Sequence, residues 1–333
     1  MDMTTPADLL ALIPTLINRE PEDALVLVTL QDDHMQAALG LKHVEDMESM
    51  ADYVTAIVKE MAELRPDALI MVFYAEDDDP KYALVNTLIA LTLNTLTPMV
   101  VHPGIRVKGG RFQVMGTDHW HDIEEVKESE LAAALVLHGI PLKPEGVVIP
   151  EPTAVTDAVT QAIDDRVASV PPFPKLIHEV WAMPYVTEER ALYEEVLERG
   201  FGATEEEAVR LIACFQDPFL RDRLMVDTIS NTMDPVEFGE TITGESDSMP
   251  DPERVMAAAN LINNLMQWTC DRHRLPMLVV QAWMSWMQGR TLDAEQYLDV
   301  AESTDPDYKM AKAFRRYLDE KRLPDGIHHG HGQ

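Results

Sequence analysis

Three groups of side chains in this chain have the types and spacing to do chemistry. Asp77, Asp78 and Asp79 come one residue, Glu76, after a short apolar run, Ala68 to Ala75, and Pro80 follows them. Carboxylates at the end of a buried strand are where α/β proteins hold Mg²⁺ or phosphate ligands. The same residues suit a plainer role, with Asp79 as N-cap before a proline at the first helical position and the other two acids favouring the helix dipole. Capping is the preferred reading, because no Gly-rich phosphate loop and no second acidic cluster accompanies them.

Asp118, His119, His121, Asp122, Glu124 and Glu125 form the densest set of potential ligands. Alternate side chains of an extended segment share a face, which gives His119, His121 and a carboxylate such as Asp122 the spacing for a divalent ion. A solvated surface turn is the competing reading and the preferred one. Arg106, Lys108 and Arg111 form one of the few basic clusters, fit to receive an anion or an acidic partner segment, or simply to pair with neighbouring carboxylates. No nucleophile elbow, P-loop, dinucleotide fingerprint, HExxH or paired CxxC occurs. Cys214 and Cys270, the only cysteines, each fall in a stretch that reads as helix, which argues against a disulfide framework and against thiol chemistry. No cofactor is expected, although a divalent cation is admitted at the two carboxylate-bearing groups, and the balance leans away from an enzyme.

The elements that must position these residues differ between the two ends of the chain. Residues 6–17 read as an amphipathic helix that Pro14 ends or kinks. Ala24–Leu30 and Met35–Leu41 read as a hairpin, Met47–Leu64 as a helix, and 68–75 as a strand buried on both faces. A helix over 81–94 leads to Pro98–Val101 and then to a hairpin turning on Gly109 and Gly110, where glycine supplies positive φ. The order ββαβαββ predicts one mixed sheet with packed helices. Prolines 141, 144, 150 and 152 mark a boundary near 150, and after 175 the pattern is helical. Thr204–Glu207 reads as a capping box, and the polar tract 231–250 as a mobile loop. We therefore expect an α+β chain: a mixed-sheet domain over 1–150, an all-helical domain over 151–325, and a disordered His-rich tail over 326–333.

The helical part closes on an ordered pattern. Gly289 follows a helix rich in Trp and Met, Ala294, Leu298 and Ala301 fall at offsets of four and three, and Pro306 comes five residues later. This spacing is that of a single tetratricopeptide-like hairpin, with Trp283 and Trp286 either lining a groove or, preferably, filling a bundle core.

Charge is the strongest compositional signal: 58 acids against 27 bases, a formal net charge of −31. The excess is even along the chain, with net −15 over residues 1–150 and −16 over 151–333. Such a surface opposes nucleic acid and favours cations or a basic protein. No apolar run reaches the length needed to span a bilayer, so no membrane role and a cytoplasmic location are expected.

Pro6-Ala7-Asp8-Leu9-Leu10, the strand after Glu22-Asp23, the Arg106–Arg111 hairpin, the Arg221-Asp222 pair and the closing Trp283, Gly289, Ala294, Asp305-Pro306 and Tyr308 together resemble an actinobacterial family, domain of unknown function 4192. An ADLL motif, here Asp8, Leu9 and Leu10, and an RD motif, here Arg221 and Asp222, are its hallmarks and occur in the expected order. The resemblance implies a fold and no mechanism, and a high-GC Gram-positive or phage source. Asp8, Leu9, Leu10, Arg221, Asp222, Gly289, Ala294 and Pro306 are expected to be structural, with Arg221 tying adjacent helices together. The functional expectation is an interaction module for a basic or nucleic-acid-binding protein. Two alternatives stand beside it: a small-ligand or metal-binding enzyme using strand ends near Asp77 and His102, and a component of a larger assembly recognisable by flat apolar patches and a stable oligomer.

Overall fold

Along Ala24–Gln31 (β1) and Ala68–Tyr74 (β3) almost every side chain is buried, and the two-residue period of a strand sorts them onto opposite faces. Leu25 and Leu27 join Leu69, Met71 and Phe73 on one face, while Ala24, Val26 and Val28 join Val72 on the other. Both faces therefore need helices over them. The computed structural model describes residues 5–32, 34–44, 48–75, 80–144, 146–173, 177–200, 202–246, 248, 250–320, 322–325 and 327.

The chain runs α1 (Pro6–Leu16), β1, β2 (His34–Lys42), α2 (Met50–Leu64), β3, α3 (Pro80–Leu96), β4 (Val100–Val101), β5 (Ile105–Lys108), β6 (Arg111–Val114), β7 (His121–Asp122), α4 (Glu124–Lys127) and α5 (Glu130–Leu137). The strand order is β2-β1-β3-β5-β6-β7, with β4 beside the start of β3. β3 is parallel to β4 and β5, and the other pairings are antiparallel. Ile57 and Met61 of α2 and Ile89 and Leu93 of α3 cover the first face; Leu9, Leu10 and Ile13 of α1 cover the second. The β5–β6 hairpin turns on Gly109 and Gly110 at φ 51° and 72°, as their position predicts. Pro14 does not end α1, which continues to Leu16 with the proline inside it.

Only helices follow among the described residues: α6 (Asp157–Ala168), α7 (Ile177–Trp181), α8 (Pro184–Arg199), α9 (Glu205–Gln216), α10 (Pro218–Ile229), α11 (Pro235–Thr243), α12 (Pro252–Met266), α13 (Asp271–Met287), α14 (Thr291–Thr304) and α15 (Lys309–Asp319). The fold is α+β, a mixed sheet with helices followed by a helical region. The capping box at α9 forms as expected, with Thr204 and Glu207 each bonding the other's amide.

The reading of the tract 231–250 fails. The tract 231–250 is not simply a loop, because α11 lies within it, N-capped by Asp234 with Pro235 in its first turn. Besides that cap and its buried Phe238, α11 is tied down by Arg223 on α10, fully buried, whose guanidinium donates to the Thr232 carbonyl at 2.7 Å and lies 5.1 Å from both the Trp181 and Phe238 rings. A polar sequence is thus held in part by one cation inserted between two aromatic faces.

The helical region also closes the sheet's cores. Leu292 joins the α1 face and Leu323 the α2–α3 face. Its approach needs Gly40 in β2, where a Cβ would meet the Leu292 side chain at 2.6 Å. Around this contact Asn18 bonds Asp293 at 3.1 Å, Arg19 bonds Gln296 at 2.8 Å, and Lys42 pairs with Glu295 and Asp299. Trp283 and Trp286 are almost fully buried and donate to the carbonyls of Ile242 and Arg322, so they are core and line no groove.

Candidate functional site

β3 and β5 are parallel neighbours, with Val72 beside Ile105 and Tyr74 beside Val107, so their carboxyl ends open at the same edge of the sheet. Such an edge leaves a crevice where the flanking connections diverge. The chain leaves β5 through the Gly109–Gly110 turn, and leaves β3 at Ala75 towards Glu76–Asp79, which lie outside the described residues. Over the edge fold α1, the segment Glu20–Asp23, α4 and the stretch after α5, enclosing a cavity of about 810 Å³. That volume falls within the range of small-molecule pockets.

The floor is apolar, with Leu10, Ala11 and Pro14 from α1, Tyr74 and Val107 from the strand ends and Ile123 and Val126; Leu142 and the exposed Val136 add apolar surface to the lining. The rim is charged, with Glu20, Glu22, Asp23 and Glu124 set among Lys108, Lys127 and Lys143. Two of the lysines are already engaged, Lys143 with Glu20 at 2.6 Å and Lys127 with Glu124 at 2.6 Å. Asp23 holds a left-handed backbone at φ 44°, and its carboxylate accepts from the Tyr82 hydroxyl at 3.2 Å. Burial, and behind it the Glu20 carboxylate, pushes the Tyr74 phenol upward, so Tyr74 stays protonated and offers no base.

The residues singled out from the sequence divide around this pocket. Lys108 lines it, whereas Arg106 lies 5.9 Å from the Trp120 ring and Arg111 sits opposite Asp122 on β7. Asp77 and Asp78 lie outside the described residues, as do His328, His329 and His331 of the tail. His102 is not at this edge: its amide bonds the Leu69 carbonyl, because β4 pairs with the amino-terminal start of β3. The His119 and His121 rings do meet, edge to face at 4.5 Å, and His121 bonds Glu125 at 3.0 Å. Asp122 is occupied in shaping the start of α4, accepting from the Glu124 amide at 3.0 Å. Among the described residues no group of three or more His, Cys, Asp or Glu side chains is arranged to hold a metal ion.

The motif residues have mechanical surroundings. Asp8 is buried: one carboxylate oxygen takes the Thr5 amide and hydroxyl, and the other takes the Leu131 amide of α5 at 3.3 Å. It therefore caps α1 and fastens α5 to it, while Leu10 reaches the pocket floor. Arg221 pairs with Asp222 at 2.7 Å, and its positive charge opposes the upward push of burial on the Tyr308 phenol at the start of α15. Gly289 holds φ 74° after α13, and Ala294 is fully buried in α14. Pro306 lies in the exposed turn between α14 and α15.

The family described as domain of unknown function (DUF4192) matches residues 6–324, nearly the whole length. The chain belongs to this family. No curated protein and no solved structure matches it. The pocket itself draws on residues that no local motif marks, among them Glu20, Val136 and Leu142; the one signal pointing to it was the continuously apolar run that ends at Ala75.

Proposed function

We propose that this DUF4192 chain is a binding module for a basic protein, and that the strand-end pocket receives an apolar side chain of that partner while the rim carboxylates pair with flanking lysines or arginines. The observation that supports it is the pocket's composition: an apolar floor under a rim whose lysines 127 and 143 are already paired, leaving Glu22 and Asp23 without a Lys or Arg partner among the described residues. A desolvated anchor pocket ringed by polar groups is the arrangement that concentrates interface energy, and the −31 net charge selects the sign of the partner.

The test is fluorescence anisotropy with three labelled peptides: basic with a central leucine or tryptophan, basic without it, and acidic with it. Only the first binds, weakening at least about tenfold between ~50 and ~300 mM salt. Glu22→Lys and Val136→Asn each weaken it further. Equal binding of all three peptides, or indifference to salt, defeats the reading.

A second reading, a component of an assembly, is favoured by α3. From Tyr82 to Val101 the sequence has no charged residue. Val85, Ile89 and Leu93 are buried inward, while Leu84, Leu91 and Leu96 are exposed, and the Thr87 and Thr95 hydroxyls bond the carbonyls four residues back. An uncharged face is where two copies of a −31 chain repel least, so if this face is an interface between copies its apolar contact must outweigh the overall repulsion. Light scattering checks it: the wild type is a dimer and Leu91→Glu a monomer, and a monomeric wild type at high protein concentration ends this reading.

A further inference from the structure

Cys270 is not inside a helix but at the N-cap of α13, and its sulfur makes no hydrogen bond to the helix amides. Instead Sγ lies 3.5 Å from Nδ1 of His273, one turn on, and Nε2 of the same ring lies 3.0 Å from Oδ1 of Asp164 on α6. Thiol, imidazole and carboxylate therefore stand in line, the relation by which a base activates a nucleophile while a third group fixes the ring. His273 is buried at 4% exposure, held further by Gln216 of α9, which donates to its carbonyl, while Cys270 is only partly covered. Arg272 of α13 also pairs with Asp164, and its Nε lies 3.3 Å from Nε2; in the tautomer that leaves Nδ1 free to accept, Nε2 donates to Asp164 and takes no hydrogen bond from Arg272. The first backbone amides of a 17-residue helix add partial positive charge beside the sulfur.

We propose that Cys270 is a nucleophilic thiol, deprotonated by His273 with Asp164 as the positioning residue, and that its substrate class is a small disulfide. The Cys270 proton passes to Nδ1 of His273, and the thiolate attacks one sulfur of the disulfide. A new S–S bond forms as the old one breaks, the bonding pair leaves on the departing thiolate, and that thiolate takes the proton from His273. Cys270 is thereby oxidised to a mixed disulfide, and half of the reagent is reduced to a thiol. Burial pulls the His273 imidazole down against the opposing Asp164 bond, which keeps it neutral and able to accept a proton near neutrality. Cys214 is the internal control, fully buried with its thiol pushed up by that burial.

The experiment uses the folded full chain and the neutral disulfide dithiodipyridine, following thiopyridone release from pH ~5 to ~9. One thiol per native chain reacts, at least about tenfold faster than free glutathione at pH ~6. Cys270→Ser abolishes it. His273→Gln slows it to the free-thiol rate, and Asp164→Asn, at a half-exposed position, moves the rate-against-pH midpoint while circular dichroism stays native. Reaction of Cys270 at the glutathione rate overturns the proposal, as does a folded His273→Gln or Asp164→Asn with an unchanged profile.

Discussion

Residues 1–150 carry four arginines and six lysines; residues 151–333 carry thirteen and four. In the sheet region the lysines work at the surface, as Lys127 and Lys143 do on the pocket rim, and the buried Asp8 is satisfied by backbone amides and a hydroxyl. In the helical region arginines go inside. Glu189, fully buried, is held by Arg166 and Arg210, and Asp227 by Arg190 at 2.7 Å and Arg223 at 2.6 Å. A planar guanidinium can satisfy a carboxylate bidentately at modest hydration cost, which an ammonium cannot. Two regions with almost the same net charge therefore use it differently: one as internal fastening, the other around an open pocket.

The comparison breaks most visibly at Asp227. Asp227→Ala leaves Arg223 buried without its carboxylate, and chemical denaturation should show a loss of about 3–5 kcal/mol with α11 loosened. A loss below ~1 kcal/mol would mean that the pair is dispensable. In the sheet region the matching change is smaller: Asp8→Ala removes a cap and orphans the Leu131 amide, for a loss of about 2 kcal/mol.

What the sequence revealed follows the same divide. The sheet was legible because strand signals are local: the Gly109–Gly110 turn, the apolar run before Glu76, and the helices between strands. α11 was missed because the tract's acids and glycines outweighed its own start signal, Asp234-Pro235, and because the buried Arg223 of α10, which Phe238 contacts, lies outside the tract. The RD motif drew notice to Arg221 and Asp222, yet the neighbouring Arg223 is the fully buried cation. The pocket was half legible; Lys108 and the end of β3 were marked, but Glu20, Val136 and Lys143 converge only through the fold. Thiol chemistry was set aside because Cys270 read as mid-helix and Asp164 lies over a hundred residues from it.

A pH titration sharpens the comparison further. The Arg199 guanidinium, with the Thr204 amide behind it, holds the Glu207 carboxyl down to about 2 from an ordinary 4.5. Because the folded value lies below the unfolded one, this contribution is complete above pH 4.5 and fades as pH falls towards 2. Thermal melts of Glu207→Gln against wild type should differ at pH 6, draw together as pH falls below 4.5 and converge only below about 2; a gap independent of pH would refute the pairing. The smallest effect belongs to the pocket rim. Lys143→Ala should change stability by less than about 1 kcal/mol, since its pair with Glu20 is exposed, while improving binding of a basic peptide by freeing that carboxylate.

The most direct measurement is hydrogen exchange on the full chain with and without the basic, leucine-anchored peptide. Binding at the strand-end pocket predicts new protection at Glu20–Asp23, at Lys108–Gly110 and at Val126–Lys127, with α10 to α12 unchanged. Protection confined to the helical region, or none at peptide concentrations that saturate the anisotropy signal, would contradict it.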